Sequence, residues 1–347
     1  MKTKEIEDLP KDIKTGKKII SVYGIGFVGT AITSVWLRAG ATVIAVDKNK
    51  KIVNSINYKK ITNTEPKAKE AFIEAVNKKR LFSTRNIKLA AKKSQIKIVS
   101  VPVGIKNHVA DLSNVYSVID DITNNLNRND IIIMTPTVPI GTSNQLIKRI
   151  EGKTKMKVNK DFFYIYSPER IAIGQAIADI ENNYPAIISG VGKKSLKIAK
   201  KIFEMISGKS PIVMTSTKAA EAEKLIEGLY RDVNIALVNQ IAILCEKEGI
   251  DIWEIRNAAN SQPFSNIHKA GIGVGGYCIP IYPRLLLQTA KNRGINLNLA
   301  SISREINEAM PAHCVNRILT ELKQTNKKKK AAILGLSFRG DIPDKRL

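Results

Sequence analysis

Cysteine is scarce in this chain. There are three in 347 residues, Cys245, Cys278 and Cys314, an odd number with no C-x-x-C spacing. That argues against a disulfide framework and against a structural zinc site. Aromatic residues amount to only 5%, too few to suggest the stacking platforms on which single-stranded nucleic acid is held. No stretch approaches the roughly 18 consecutive apolar residues of a membrane span. The opening MKTKEIEDLPKDIKTGKK is polar, so no secretory signal is expected, and the protein is placed in the cytoplasm with no membrane partner. Acid is the scarcer charge: 31 Asp and Glu stand against 56 Lys and Arg, a net of +25. Such a surplus attracts phosphate-bearing ligands and permits nucleic acid. Much of it is spread as pairs such as Lys79–Arg80, Lys92–Lys93 and Lys193–Lys194, the pattern of a solvated surface, and nucleic acid is not expected as a partner.

What is present is organised for more than one core, because 347 residues exceed the size at which a single core is usual. KKIISVYGIGFVGTAITSVWLRAGATVIAVD, residues 17–47, reads as strand, glycine turn, helix and second strand. Further apolar strands are expected at 96–103, 130–139, 162–170 and 184–191, with helical DLSNVYSVIDDITNNLN among them. Strands alternating with helices predict a parallel sheet in an α/β domain. From Ser216 the apolar spacing becomes helical for about thirty residues. The shorter helical DIWEIRNAANS, a glycine-rich loop and more helix to about Lys323 follow, and AAILGLSF is expected to begin another α/β unit. The resulting division is 1–210, 211–325 and 326–347.

Gly24-x-Gly26-x-x-Gly29 follows the first strand and opens a helix. Its glycines suit a tight turn, close approach of backbone to a pyrophosphate, and helix-on-strand packing. Asp47, eighteen residues past Gly29 at the end of the second strand, is placed to bind an adenosine ribose. An acid there favours NAD over NADP. Thr135-Pro-Thr-Val-Pro139 ends another strand, and Thr137 offers a hydroxyl at a ligand-bearing strand end, although prolines and glycine also make a plain turn. Glu169 and Arg170 of Ser-Pro-Glu-Arg lie after FFYIY, as site residues or as a solvent-facing pair. Lys224 on the long helix reads by itself as an ordinary surface lysine. Cys278, in GVGGYCIPIYP, differs from Cys245 in AILCEK: glycines free backbone N–H groups to stabilise a thiolate or an oxyanion, while packing is the alternative use.

Taken in order, GIGFVG, VPV, TPTVPIGT, SPERIAIGQAIADI, KLIEGLYRDVNIALVNQIA, GIGVGGYCIP and GLSFRGDIPDKR resemble the UDP-glucose/GDP-mannose dehydrogenase family over nearly the whole chain. These are NAD-dependent enzymes that oxidise a nucleotide-sugar alcohol twice, to a carboxylate. SPERI, RDVNIAL and the GVGG-x-CIP loop are most similar to the UDP-N-acetyl-D-mannosamine dehydrogenase subgroup. The resemblance implies an N-terminal Rossmann domain, a helical middle domain through which the chain forms a homodimer, and the start of a C-terminal Rossmann-like domain incomplete at Leu347. It implies Cys278 as nucleophile, Lys224 as the cation on the oxyanions, and Thr137 and Glu169 as residues that position water and assist proton transfer. It implies Gly24, Gly26, Val28, Gly29, Asp47, Thr137 and Arg346 at the cofactor. Glu169, Arg170, Lys224, Gly275, Gly276 and Arg339 fall at the nucleotide sugar, with no metal. Four positions depart from the family pattern. Gly228 replaces an asparagine, Tyr282 an aspartate, Tyr277 a histidine and Val103 a threonine. With these departures, a homologue that binds NAD but turns over poorly is the alternative, as are UDP-glucose, UDP-N-acetylglucosamine or GDP-mannose as substrates; a basic nucleic-acid-binding protein is a weaker one.

Overall fold

The computed structural model describes residues 1–61, 65–106, 109–323 and 330–335. One compact unit takes in Met1–Lys106 and Ala110–Ala222, and a second is built chiefly from Glu223 onward. In the first, β1 (Ile20–Tyr23), β2 (Val43–Val46), β3 (Leu81–Thr84), β4 (Ile96–Val99), β5 (Ile131–Met134), β6 (Phe163–Tyr166), β7 (Ile187–Gly190) and β8 (Ile212–Val213) form one sheet. Their order is β8-β7-β6-β5-β4-β1-β2-β3. β1, β2, β4, β5 and β6 are buried at every residue, which is why they are continuous apolar runs: helices cover both faces of a parallel sheet. Alternate side chains feed two cores. Val22, Ile98, Ile133 and Ile165 enter one with Trp36, whereas Tyr23, Val99, Met134 and Tyr166 enter the other.

Ile20 pairs in parallel with both Val43 and Ile96, which places β1 in the interior of the sheet. The sheet is not wholly parallel, contrary to the sequence expectation: β7 runs antiparallel to β6, with Tyr166 opposite Ser189. Between them lie only the three-residue helix Ala176–Ala178 and the π-turn Asp179–Asn183. Without a full crossover helix, the chain re-enters the sheet in the opposite direction. The helix Lys193–Phe203 then restores a parallel step, placing Ile212 beside Ile187.

The long helix Thr217–Glu248 begins in the first unit and continues into the second. Ile252–Ala259, Tyr282–Lys291 and Asn298–Lys323 follow it, matching the helical spacing read from the sequence. The strand expected at AAILGLSF is not formed over residues 331–335, which are exposed and irregular, and the remainder of that segment lies outside the described residues. An apolar run becomes a strand only where a ladder receives it. Among the described residues no helix is long and apolar enough to cross a membrane.

Candidate active site

The first unit gathers its candidate residues at the carboxyl ends of adjacent parallel strands. Gly24–Gly29 follows β1, Asp47 follows β2, Val103 lies beyond β4, Thr137 beyond β5 and Glu169 beyond β6. Strand order runs away from β1 on both sides, the switch point at which open α/β sheets take ligands. Gly24 has φ +92°, and a Cβ there would stand 2.9 Å from the Ser100 carbonyl oxygen. A Cβ on Gly29 would collide with the Gly24 carbonyl oxygen, so the helix Phe27–Arg38 can start this close to the turn only with glycine. Gly26 faces open space, with nothing within 4 Å of a built Cβ. Asp47 is drawn onto this turn: its Oδ2 accepts the Ile25 N–H at 2.8 Å and its Oδ1 the Asn49 N–H at 2.8 Å. Open backbone beside a carboxylate fits the pyrophosphate and ribose of NAD. Val28 is half-buried against the core.

Thr137 is half-buried in a braced loop. Tyr166 Oη donates to the Pro136 carbonyl at 3.2 Å and Thr135 Oγ1 to that of Val99 at 3.1 Å. Glu221, fully buried near the start of the long helix, accepts the Gly141 N–H at 2.5 Å and the Ser143 N–H at 2.8 Å. Burial pushes the Glu221 carboxyl up, against the pull of these bonds. Sequence reading missed this latch; the only signal was an acid one turn before Lys224. Glu169 is half-buried and lines a cavity with Ser167, Arg170, Asp179, Tyr184 and Phe203. Arg170 is not a solvent-facing charge: its Nη2 donates to the Pro185 carbonyl at 2.5 Å and its guanidinium lies 5.8 Å from the Tyr184 ring.

In the second unit Lys224 is buried, not the surface lysine its helix suggests. Its Nζ lies 3.5 Å from Glu227 and 5.6 Å from the centre of the Tyr282 ring. Burial holds its ammonium below the usual lysine value, while Glu227 and Cys278 pull the other way. Cys278 is exposed, and its carbonyl accepts the N–H groups of Ile281 and Tyr282 at 3.0 Å, setting it just before the helix Tyr282–Lys291. The glycine loop ahead of it, which holds Gly275 and Gly276, is tied back by Asn239, whose Oδ1 accepts the Gly271 N–H at 3.0 Å. Asn239 in turn donates to Asn307 at 2.9 Å, and Asn307 donates to the buried Asp232 at 2.8 Å, the ion-pair partner of Arg304. The structure thus groups the glycine turn, Asp47, Thr137 and Glu169 in one unit, and Lys224 and Cys278 in the other. Arg339 and Arg346 lie outside the described residues. Among the described residues no cluster of three or more His, Cys, Asp or Glu side chains could hold a metal.

Two family models match. Residues 18–207 fit the NAD binding domain of the UDP-glucose/GDP-mannose dehydrogenase family, and residues 218–309 fit its central domain. The chain is 32% identical over 330 residues to a UDP-N-acetyl-D-mannosamine dehydrogenase of Pyrococcus horikoshii, covering 94% of this chain and 78% of that protein. It is 34% identical over 338 residues to the protein so named from Methanocaldococcus jannaschii, covering 95% of this chain and 74% of that one. A solved Pyrococcus horikoshii structure of that name superposes with a TM-score of 0.88 at 31% identity, covering 94% of this chain and 78% of that one. The UDP-N-acetyl-mannosamine dehydrogenase of Staphylococcus aureus superposes at 0.84 with 27% identity, covering 95% and 76%.

Proposed function

Because the chain belongs to the UDP-glucose/GDP-mannose dehydrogenase family, whose cofactor is NAD, we propose that it oxidises UDP-N-acetyl-D-mannosamine to the corresponding uronic acid with Cys278 as covalent nucleophile. The substrate is that named for the relatives above, which match over most of this chain. The observation that carries the nucleophile is the exposed thiol of Cys278 behind the glycine loop, in the same unit as the buried Lys224. A fixed cation stabilises the oxyanion that attack of a thiol on an aldehyde creates.

NAD, when bound, supplies a hydride acceptor, and Gly24, Gly26, Val28, Gly29 and Asp47 are the residues that hold it. Loss of hydride and a proton turns the sugar C6 alcohol into an aldehyde. Cys278 Sγ then bonds to the aldehyde carbon, and Lys224 balances the charge on its oxygen. Loss of a second hydride leaves a thioester. Water adds to the thioester carbonyl, the C–S bond breaks, and the free thiol and carboxylate are released. Thr137 and Glu169 are the residues that the family resemblance assigns to positioning water and assisting proton transfer. Glu169, Arg170, Gly275 and Gly276 contact the sugar nucleotide.

The protein works as a homodimer through the long helix. Ile226, Tyr230, Leu237 and Leu244 on that helix are exposed large apolar side chains, and their spacing places them on one stripe.

Mixing protein, NAD and UDP-N-acetyl-D-mannosamine tests the chemistry. Two NADH per sugar are expected from the wild type, and Cys278→Ser should not complete the second oxidation. Absence of NADH from a wild type shown separately to bind NAD overturns the reading in favour of a cofactor-binding homologue without turnover.

A further inference from the structure

Gly228 follows Lys224 by one helical turn, so the two positions face the same way. Gly228 is buried. A Cβ on it would overlap Tyr282 Cδ2 and stand 2.9 Å from Tyr282 Cβ and 3.1 Å from Cγ. Tyr282 is itself buried, at the first turn of the helix Tyr282–Lys291. The same ring that occupies the space over Gly228 lies 5.6 Å from Lys224 Nζ. One side chain thus meets both positions, and neither contact can change without the other.

We propose that Gly228 and Tyr282 form one matched unit, in which the tyrosine ring takes the volume that glycine leaves and holds the Lys224 ammonium in place. Tyr282 is therefore a positioning residue for Lys224. An ammonium removed from water gains from an aromatic face, whose negative quadrupole favours the charged form. The titratable groups around Lys224 are Glu227, Cys278 and Glu223, which favour the ammonium, and Arg231, which opposes it. Burial outweighs the favourable groups, and the Tyr282 ring, 5.6 Å from Nζ, is a further contact that favours the charge. Gly228 and Tyr282, separate departures in the sequence, are one packing solution. The effect on turnover rests on the dehydrogenase reading; the packing and the ionisation of Lys224 do not.

Two measurements decide it. Gly228→Ala should lower the melting temperature by on the order of 5 °C through overpacking, and should cost almost nothing once Tyr282 is alanine. Equal losses in the two backgrounds would overturn the matched unit. If Gly228→Ala does not fold at all, rescue by Tyr282→Ala is the same result in a stronger form. The second measurement is competitive acetylation of the Lys224 amine as a function of pH, read on its peptide by mass spectrometry. Tyr282→Phe should label as the wild type does, and Tyr282→Leu should label at lower pH. An unchanged leucine variant, or a phenylalanine variant that behaves like leucine, overturns the ring's role. In an active protein Tyr282→Leu should also lower kcat more than it alters KM. If the wild type makes no NADH, acetylation and melting still settle the pair, so the two readings fail separately.

Discussion

At the scale of single residues, Lys224 joins two demands that oppose each other. Its burial disfavours the charge that the proposed role at an oxyanion requires, and it holds the amine below the usual lysine value. As pH rises the ammonium is therefore lost earlier than on a surface lysine, and kcat should fall on the alkaline side sooner than an ordinary lysine would dictate. Stability moves the other way. Between the folded pKa and the unfolded value of about 10.4 the unfolded chain binds more protons, so this group makes stability rise with pH across that window. A pH profile of kcat for wild type and Lys224→Arg checks the first point. Arginine stays charged, so its profile should lose that limb at a reduced rate. A limb that persists in the arginine variant assigns it to another group. Nothing in the local sequence marks Lys224 as buried; its helix carries apolar residues on several faces, and only the packing decides which of them meets solvent.

Among the elements, β4 and β5 are joined by more than their ladder. Lys97 on β4 and Asp130 just before β5 pair at 2.8 Å with side chains 0% and 3% exposed. Lys97 Nζ also donates to the Ser94 carbonyl at 2.6 Å, and Asp130 Oδ2 accepts the Asn127 N–H at 2.8 Å. Burial pushes Lys97 down and Asp130 up, and each partner opposes that shift in the other. Lys97→Met leaves a buried carboxylate alone and should cost about 3–5 kcal/mol in urea unfolding, while adding Asp130→Leu should recover most of it. A single variant as stable as the wild type would show that the carboxylate finds another partner. The pair was not legible in IKIV, because its acid lies 33 residues further along. The apolar strands, in contrast, were legible, since a strand covered on both faces must be apolar throughout. β3, with sequence LFST and a half-exposed pattern at the sheet edge, carries no such signal.

For the whole molecule, the surplus of basic residues suits polyanionic ligands, since NAD and a UDP-sugar both carry phosphates and net charge acts on association. The proposed dimer would rest on the exposed stripe Ile226, Tyr230, Leu237 and Leu244. Leu237→Glu together with Leu244→Glu should give the mass of one chain by light scattering where the wild type gives twice that mass. A wild type that already runs as one chain removes the dimer.

The sequence by itself determined the α/β beginning, the glycine turn with Asp47, the long helix and the loop that carries Cys278. Each is written within a few tens of consecutive residues as periodicity, turn chemistry or a short motif. Only the tertiary structure decided the direction of β7, the Lys97–Asp130 pair, the Glu221 latch on Gly141 and Ser143, and the fit of Tyr282 over Gly228. Those depend on which atoms from distant segments share one volume. Residue type limits that choice, and packing makes it.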